Sequence, residues 1–311
     1  MKVVITGTYP EITKKKMEES FPKEWNIRVV LPEEVEHELS TADVLIPEHI
    51  QVNSDLLKKA PKLKLVQTGV GYDNVSIKDC TEYGVQVCNA AGVNTVAVAE
   101  HVMAYILCWY KNIIYLDDYM KSHKTEVELN YFGSELVGKT IGIVGLGNVG
   151  KTVAKYCNAF GMRVVGYSHS EFRIDAVESL PLDELYRESD IVSIHVPLNK
   201  NTRHMVGKAE FQKMKRSSVL INTSRGAVVD ELQLVAAIQD GEIGGACLDV
   251  YEDEPLSQIS PLRNLNHVIL TPHTAGLPDG VKYHKKRYDF FAQNIEKFMH
   301  HEAPECKLNI I

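Results

Sequence analysis

Three glycines at G-x-G-x-x-G spacing, Gly145, Gly147 and Gly150, follow a β-branched apolar run, Thr140 to Val144, and precede an amphipathic stretch and a second apolar run, Arg163 to Tyr167. These residues can hold a dinucleotide. Gly145 allows a tight turn, Gly147 lets a pyrophosphate approach the backbone, and Gly150 lets a helix pack close on a strand. A helix opening near Asn148 and Val149 would point unpaired N–H groups, and the positive end of its dipole, at the phosphates. Glycines also mark ordinary turns, so the motif carries weight because strand, helix and strand flank it between Gly138 and Ser170.

An Asp or Glu at the end of the second strand would hold the ribose hydroxyls of NAD. This chain instead has Ser168, His169 and Ser170, followed by Arg173. A carboxylate there would repel a 2′-phosphate, whereas hydroxyls, an imidazole and a guanidinium could bind one, so the pattern points to NADP(H) before NAD(H). The alternative is that Ser168 only caps the turn and Arg173 is solvated, leaving a site open to either cofactor.

Further along, strand-like runs at Ile191 to Val196, Ser218 to Asn222, Gly245 to Val250 and His267 to Thr271 are followed by turns. The last three each deliver one chemically useful side chain to the carboxyl edge of a sheet: Arg225, Glu254 and His273. That edge is where the nicotinamide of a bound dinucleotide would lie. Plainer readings exist for each. Any of 12 histidines can be a core or surface residue, Glu252 to Glu254 can be a solvated acidic run before Pro255, and Arg225 can pair with Asp230.

The elements that must position these groups alternate from the start of the chain. Lys2 to Thr6, Ile27 to Leu31, Val44 to Pro47, Leu63 to Val66 and Val85 to Asn89 read as strands. Charged, helix-like segments such as Glu11 to Glu19, Asn53 to Lys59 and Ser76 to Tyr83 separate them. Such alternation predicts a parallel sheet with helices on both faces and ligands at the carboxyl ends of its strands. The loop Thr68 to Asn74 is therefore a second candidate site, its glycines freeing the N–H groups of Val70 and Gly71 to face an anion. It can equally be a turn whose Asp73 and Asn74 cap the next helix. Residues 93 to about 123 form the most apolar helical stretch, capped by Asn94 or Thr95 and apolar on nearly all sides through Ile114. A helix buried all round is expected there, linking two domains and lending surface to a partner subunit. His101 within it reads as a hydrogen-bonded core residue.

Composition bounds the function classes. At 311 residues, 44% hydrophobic and 24% charged, the chain has the make-up of a soluble globular protein with room for two cores. A net charge of −7 argues against nucleic acid or an anionic membrane as the main partner. Six scattered cysteines lack metal-like spacing and read as reduced thiols, with no metal site expected and a cytoplasmic location implied. The strand-like KVVIT at the N-terminus leaves no signal peptide to expect, and no apolar run reaches membrane-spanning length.

Taken together, GVGYDNV (69–75), NTVAVAEH (94–101), GLGNVG (145–150), NTSRGAVVDE (222–231), LDVYEDEP (248–255) and TPHTAG (271–276) resemble, in order, the motifs of the D-isomer-specific 2-hydroxyacid dehydrogenases. The resemblance implies an α/β fold with two doubly wound domains. One is a flavodoxin-like substrate domain from residues 1–95 and 283–311; the other is an inserted Rossmann-type NAD(P)-binding domain from 96–282. A cleft between them and a homodimer are usual in the family. Carried onto this chain, His273 matches the acid/base, Glu254 its partner carboxylate and Arg225 the substrate-binding residue. Val70 and Gly71 match backbone donors to the substrate carboxylate. Asp249 matches a partner of the nicotinamide carboxamide, and Asn148, Val149, Val196, Thr223 and Gly276 match dinucleotide-lining positions.

These types suit the chemistry. Reducing a 2-oxo acid places hydride on carbon and a proton on oxygen near neutral pH, which suits an imidazole held by a carboxylate and an arginine fork on the ketone and carboxylate. The phosphoglycerate branch has an arginine where this chain has Gln67, and the chain leaves no room for a regulatory domain. Both points favour a 2-oxo acid with a small uncharged side group, such as glyoxylate or hydroxypyruvate, over 3-phosphoglycerate. The segment Leu277 to His284 is expected to help shape the pocket. A second reading is a dinucleotide-sensing corepressor, which the lack of disordered extensions and of a basic surface makes less attractive.

Overall fold

The computed structural model describes residues 1–122, 133–278 and 284–311. Contacts divide it into two compact units, Met1–Asn94 with Leu277–Ile311, and Thr95–Gly276. The sequence-derived boundary between residues 282 and 283 lies outside the described residues, as does most of the segment expected to shape the pocket.

In the first unit the elements run β1 (Lys2–Thr6), α1 (Glu11–Glu19), β2 (Asn26–Val30), α2 (Glu36–Leu39), β3 (Val44–Ile46), α3 (Ser54–Lys58), β4 (Leu65–Gln67), α4 (Ile77–Glu82) and β5 (Gln86–Cys88). The strands form one parallel sheet in the order β2-β1-β3-β4-β5, the flavodoxin-like winding. Its central strands are buried on both faces, so they read as continuous runs of Val, Ile and Leu, not as alternating patterns. One face packs with Leu39, Leu57, Val75 and Cys80, the other with Met17, Phe21, Tyr288, Phe291 and Ile295. Asn53 caps α3 and Ser76 caps α4 through side-chain oxygens, which explains where those charged segments begin.

The second unit begins with α5 (Thr95–Tyr110) and α6 (Ile113–Lys121). The continuous helix expected over residues 93 to 123 is thus two helices, because Asn112 takes a left-handed conformation, φ 51°, that no α-helix continues through. Position 123 is outside the described residues. Burial all round also fails. Ile106 and Val102 are fully buried, but α6 buries no residue, and Ile113, Ile114 and Met120 are half or more exposed. Thr95 is helical and not a cap, and its buried hydroxyl has no partner among the described residues.

The remaining elements are β6 (Thr140–Val144), α7 (Asn148–Ala159), β7 (Arg163–Tyr167), β8 (Glu178–Ser179), α8 (Leu182–Glu188), β9 (Ile191–Ile194), α9 (Lys208–Phe211), β10 (Val219–Asn222), α10 (Glu231–Gln239), β11 (Gly245–Leu248) and β12 (Val268–Leu270). The last helix of the chain, α11 (Lys285–Met299), belongs to the first unit. The second sheet is parallel in the order β12-β11-β10-β9-β6-β7-β8, the Rossmann arrangement with a seventh strand. The two-residue β8 escapes sequence reading because Glu178 and Ser179 carry no apolar signal. The strand order reverses between β6 and β9, which puts the Gly145 turn at the switch point where such sheets bind dinucleotides.

Candidate active site

The glycine turn is packed as a dinucleotide cradle would be. Gly145 has φ 100°, and a Cβ there would lie 2.7 Å from the carbonyl oxygen of His195, at the end of β9. A Cβ on Gly150 would collide with the carbonyl of Gly145, so the first turn of α7 can lie this close to β6 only with glycine. Gly147, by contrast, has nothing within 4 Å of where its Cβ would stand. That open space lies at the N-cap of α7, which has no side-chain cap, so the N–H groups of Asn148 and Val149 are left to a ligand. The Thr223 hydroxyl after β10 is buried without a partner among the described residues. Open cradle, helix N-terminus and orphaned hydroxyl fit the dinucleotide that the glycine spacing implies. Val196 packs against the Gly145 turn, Ser168 is half-buried, and His169 and Arg173 are exposed beyond β7.

Beyond β10, β11 and β12 the chain brings Arg225, Glu254 and His273 to one cluster. Asn222, almost fully buried at the end of β10, shapes the first turn: its amide donates to the Arg225 carbonyl and its oxygen accepts from Ser224 N–H and hydroxyl. A Cβ on Gly226 would collide with the Tyr251 carbonyl, so the residue after Arg225 is pressed against the backbone leading to Glu254. The acidic run then divides. Glu252 pairs with His204 at 2.8 Å and accepts from Glu231 N–H, while Glu254 accepts from Tyr251 N–H and meets His273 Nδ1 at 2.6 Å.

His273 itself is left-handed, φ 53°, a conformation that must be held from outside. Asp249 holds it. Its backbone carbonyl accepts from His273 N–H, and its carboxylate, 1% exposed, accepts from Thr274 N–H, Ala275 N–H and the Thr271 hydroxyl. Tyr105 and His101 on α5 reach the same Thr271 hydroxyl, so the expected core role of His101 takes the form of a polar network behind β12. The carboxylate that the family pattern sets against a nicotinamide also braces the 271–275 segment. No sequence signal marks Tyr105 as part of this network.

The electrostatics follow from the geometry. The hydrogen bond that His273 donates to Glu254 raises the His273 pKa above its ordinary value; burial opposes this, the Glu254 charge adds to it and Arg225 subtracts. Burial alone would raise the Glu254 carboxyl. The His273 hydrogen bond and charge, the Tyr251 N–H and Arg225 together bring it below the usual range. With Nδ1 committed to the carboxylate, Nε2 is the nitrogen left to carry a proton outward. An imidazole so held can carry a proton on Nε2 and donate it, with a guanidinium close by.

In the first unit, the N–H groups of Val70 and Gly71 have no acceptor among the described residues. The neighbouring carbonyls are used: Gly69 accepts from Ala90 N–H and Val70 from the Asn89 amide. Asn74 does not cap α4; its amide bonds the carbonyls of Pro47 and Ile50 and ties the loop to the end of β3. Gln67 is fully buried, its amide engaged with Asn294 and with the carbonyls of Thr68 and Cys88. It faces the core, so its lack of charge is a poor guide to whether a phosphate fits.

The family model for the NAD binding domain of D-isomer specific 2-hydroxyacid dehydrogenases matches residues 103–275. The chain belongs to this family. As a D-2-hydroxyacid dehydrogenase it is an NAD(P)-dependent oxidoreductase. It is 39% identical over 329 aligned residues to a glyoxylate reductase of Thermococcus litoralis, covering 99% of this chain and 96% of that one. Among solved structures, the D-lactate dehydrogenase of Aquifex aeolicus complexed with NAD and lactic acid matches with TM-score 0.85 and 30% identity, over 96% of both chains. An acyclic imino acid reductase in complex with NADPH and D-arginine matches with TM-score 0.86 and 29% identity, over 99% of this dehydrogenase and all of that chain. Among its described residues, no helix is long and apolar enough to cross a membrane, and no group of His, Cys, Asp and Glu could hold a metal.

Proposed function

We propose that the protein reduces a small 2-oxo acid of the glyoxylate or hydroxypyruvate class to the D-2-hydroxy acid. The carrying observation is the 2.6 Å His273–Glu254 pair with Arg225 close enough to act on both charges. In this reading His273 Nε2 gives its proton to the carbonyl oxygen, and Glu254 holds the ring and stabilises its charged form. Arg225 binds the carboxylate and polarises the ketone. Asp249 keeps the His273 segment in place through three hydrogen bonds to its carboxylate. Val70 and Gly71 supply N–H donors to the substrate carboxylate. Gly145, Gly147, Gly150, Asn148, Val149, Val196, Thr223 and Gly276 line the dinucleotide, which supplies the hydride when bound. The second unit is the dinucleotide-binding domain and the first the substrate domain.

Ser168, His169 and Arg173 stand where a 2′-phosphate would lie, without a carboxylate at that turn, which supports NADP(H) as the preferred cofactor. The half-exposed Ile113, Ile114 and Tyr115 of α6 support a homodimer formed on that face. Free cysteines among the described residues are in keeping with a cytoplasmic protein.

The test is a panel of 2-oxo acids assayed by oxidation of NADPH and of NADH. Glyoxylate and hydroxypyruvate should be turned over, with the higher kcat/KM on NADPH. Failure of every 2-oxo acid defeats the reading, and an NADH preference defeats only its cofactor half.

A further inference from the structure

The loop after β4 carries a charged neighbour that the family motifs do not assign. Arg287 is the third residue of α11, where a cation faces the positive end of the helix dipole and is disfavoured. It is nonetheless drawn inward, its side chain 16% exposed, with the guanidinium over the rings of Tyr288 and Phe291 at 5.2 and 5.6 Å. Only one end of its donor fork is used. Nη2 donates to Glu48 Oε1 at 3.0 Å and to the Tyr288 hydroxyl at 3.1 Å. Among the described residues, Nε is buried with no acceptor and Nη1 has none either. Nη1 comes within 3.5 Å of where a Cβ on Gly69 would stand.

This places an unused charged donor beside the loop whose Val70 and Gly71 N–H groups are also unused. A guanidinium in a protein ordinarily satisfies its N–H groups, and a buried donor left alone costs free energy. Such donors gathered at one loop select an anion. Glu48 is itself held in place. Its backbone is pinned to the end of β1 by a reciprocal pair of hydrogen bonds with the Thr6 hydroxyl, at 2.8 and 2.9 Å. Its carboxylate holds Nη2; burial, the largest single influence, disfavours the charged guanidinium, and Glu48 together with Tyr288 and Tyr9 more than offsets it.

We propose that Arg287 Nη1 is a charged donor to the carboxylate of the 2-oxo acid, acting with the Val70 and Gly71 N–H groups, and that Glu48 is its positioning residue. This rests on the function proposed above. The arrangement supplies a positive charge to that loop from α11.

Glyoxylate is the discriminating substrate, because it has no side group and any effect on its KM reports on the carboxylate end. Loss of one charged hydrogen bond predicts that Arg287→Gln raises the KM for glyoxylate, and the Ki for oxalate, about 10- to 100-fold. The KM for the dinucleotide should stay within about twofold, since only the anion clamp is altered. Arg287→Lys should recover part of the loss, and Glu48→Gln should fall between wild type and Arg287→Gln, because the donor remains but is no longer aimed. A folded Arg287→Gln whose KM and Ki stay near wild type overturns the proposal. Should that variant fail to fold, unchanged values in both Arg287→Lys and Glu48→Gln overturn it instead. If the wild type turns over no 2-oxo acid, the function proposed above fails by itself. Oxalate binding to the wild type and the variants, followed by calorimetry, then decides the anion site separately.

Discussion

Each unit ends its parallel sheet in an ion pair, and the two pairs are built oppositely. At the carboxyl edge of the second sheet, Glu254 meets an imidazole whose pKa it raises, at 2.6 Å, with that side chain 48% exposed. At the carboxyl edge of the first, Glu48 meets a guanidinium that does not titrate in any working range, with both side chains mostly covered. A group that must release a proton each turnover needs a pKa within reach of the medium and a path to solvent or substrate. A group that only holds charge needs neither, and gains from exclusion of water. The same carboxylate thus serves two ends: beside an imidazole it sets a proton affinity, and beside a guanidinium it sets a direction.

The largest effect should come from removing the titrating partner. His273→Asn keeps a polar side chain of similar reach but no proton to donate, and should lower kcat for 2-oxo acid reduction about 10²- to 10⁴-fold. Dinucleotide affinity should change little, because the Gly145 turn and the α7 N-terminus are untouched; fluorescence titration with NADPH checks that. A His273→Asn enzyme with near wild-type kcat would show that the pair does not move the proton.

A packing change comes next. Gly226→Ala would force a Cβ into the Tyr251 carbonyl, with backbone on both sides and no flexible side chain to yield. Overpacking of this kind costs about 1–3 kcal/mol, occasionally more. The expected result is a lower Tm together with a kcat/KM loss, because the displaced backbone is the one that carries Arg225 and leads to Glu254. A variant with wild-type Tm and activity would mean that the turn absorbs the methyl and that these two residues are not positioned through it.

How much of this was legible in the chain depends on whether the signal is local. Strand, turn and helix around Gly145 could be read because each glycine answers a nearby steric demand, and the buried strands because their apolar runs are continuous. Arg225, Glu254 and His273 could be placed at strand ends, but their convergence requires that β10, β11 and β12 be neighbours, which spacing does not state. The single helix over 93 to 123 was misread because apolar residues on every side look alike whether they face a core, as at Ile106, or stand exposed, as at Met120. Nothing near Thr271 signals the Tyr105 and His101 hydroxyl network, since those partners are about 170 residues away in sequence. The surroundings of Gln67 were hidden for the same reason: its buried amide bonds Asn294, on a helix that only the fold brings near.

A smaller, directional effect should follow Glu254→Gln. Glu254 raises the His273 pKa, so the acid form needed for reduction persists above the ordinary imidazole range and disappears as pH rises through the shifted value. Without that carboxylate the alkaline limb of kcat/KM should move to lower pH, while activity well below the limb falls only modestly. An unmoved limb would assign it to another group. In the oxidative direction the base form is needed, so the same substitution should extend activity toward lower pH.

The finest test of the contrast compares penalties across pH. The Arg287 charge does not change between pH 6 and pH 9, since a guanidinium titrates about three or more units above that window. The fold-increase in oxalate Ki caused by Arg287→Gln should therefore be the same at both ends, within about a factor of two. For Glu254→Gln the penalty in kcat/KM should grow as pH rises between the variant's imidazole pKa and that of the wild type, because in that interval only the wild type still holds the proton. Two flat profiles would mean that the His273 pair does not titrate in the working range. Two rising profiles would mean that the Arg287 clamp depends on a proton it is not expected to need, and the division between a pair that releases charge and a pair that aims it would not hold.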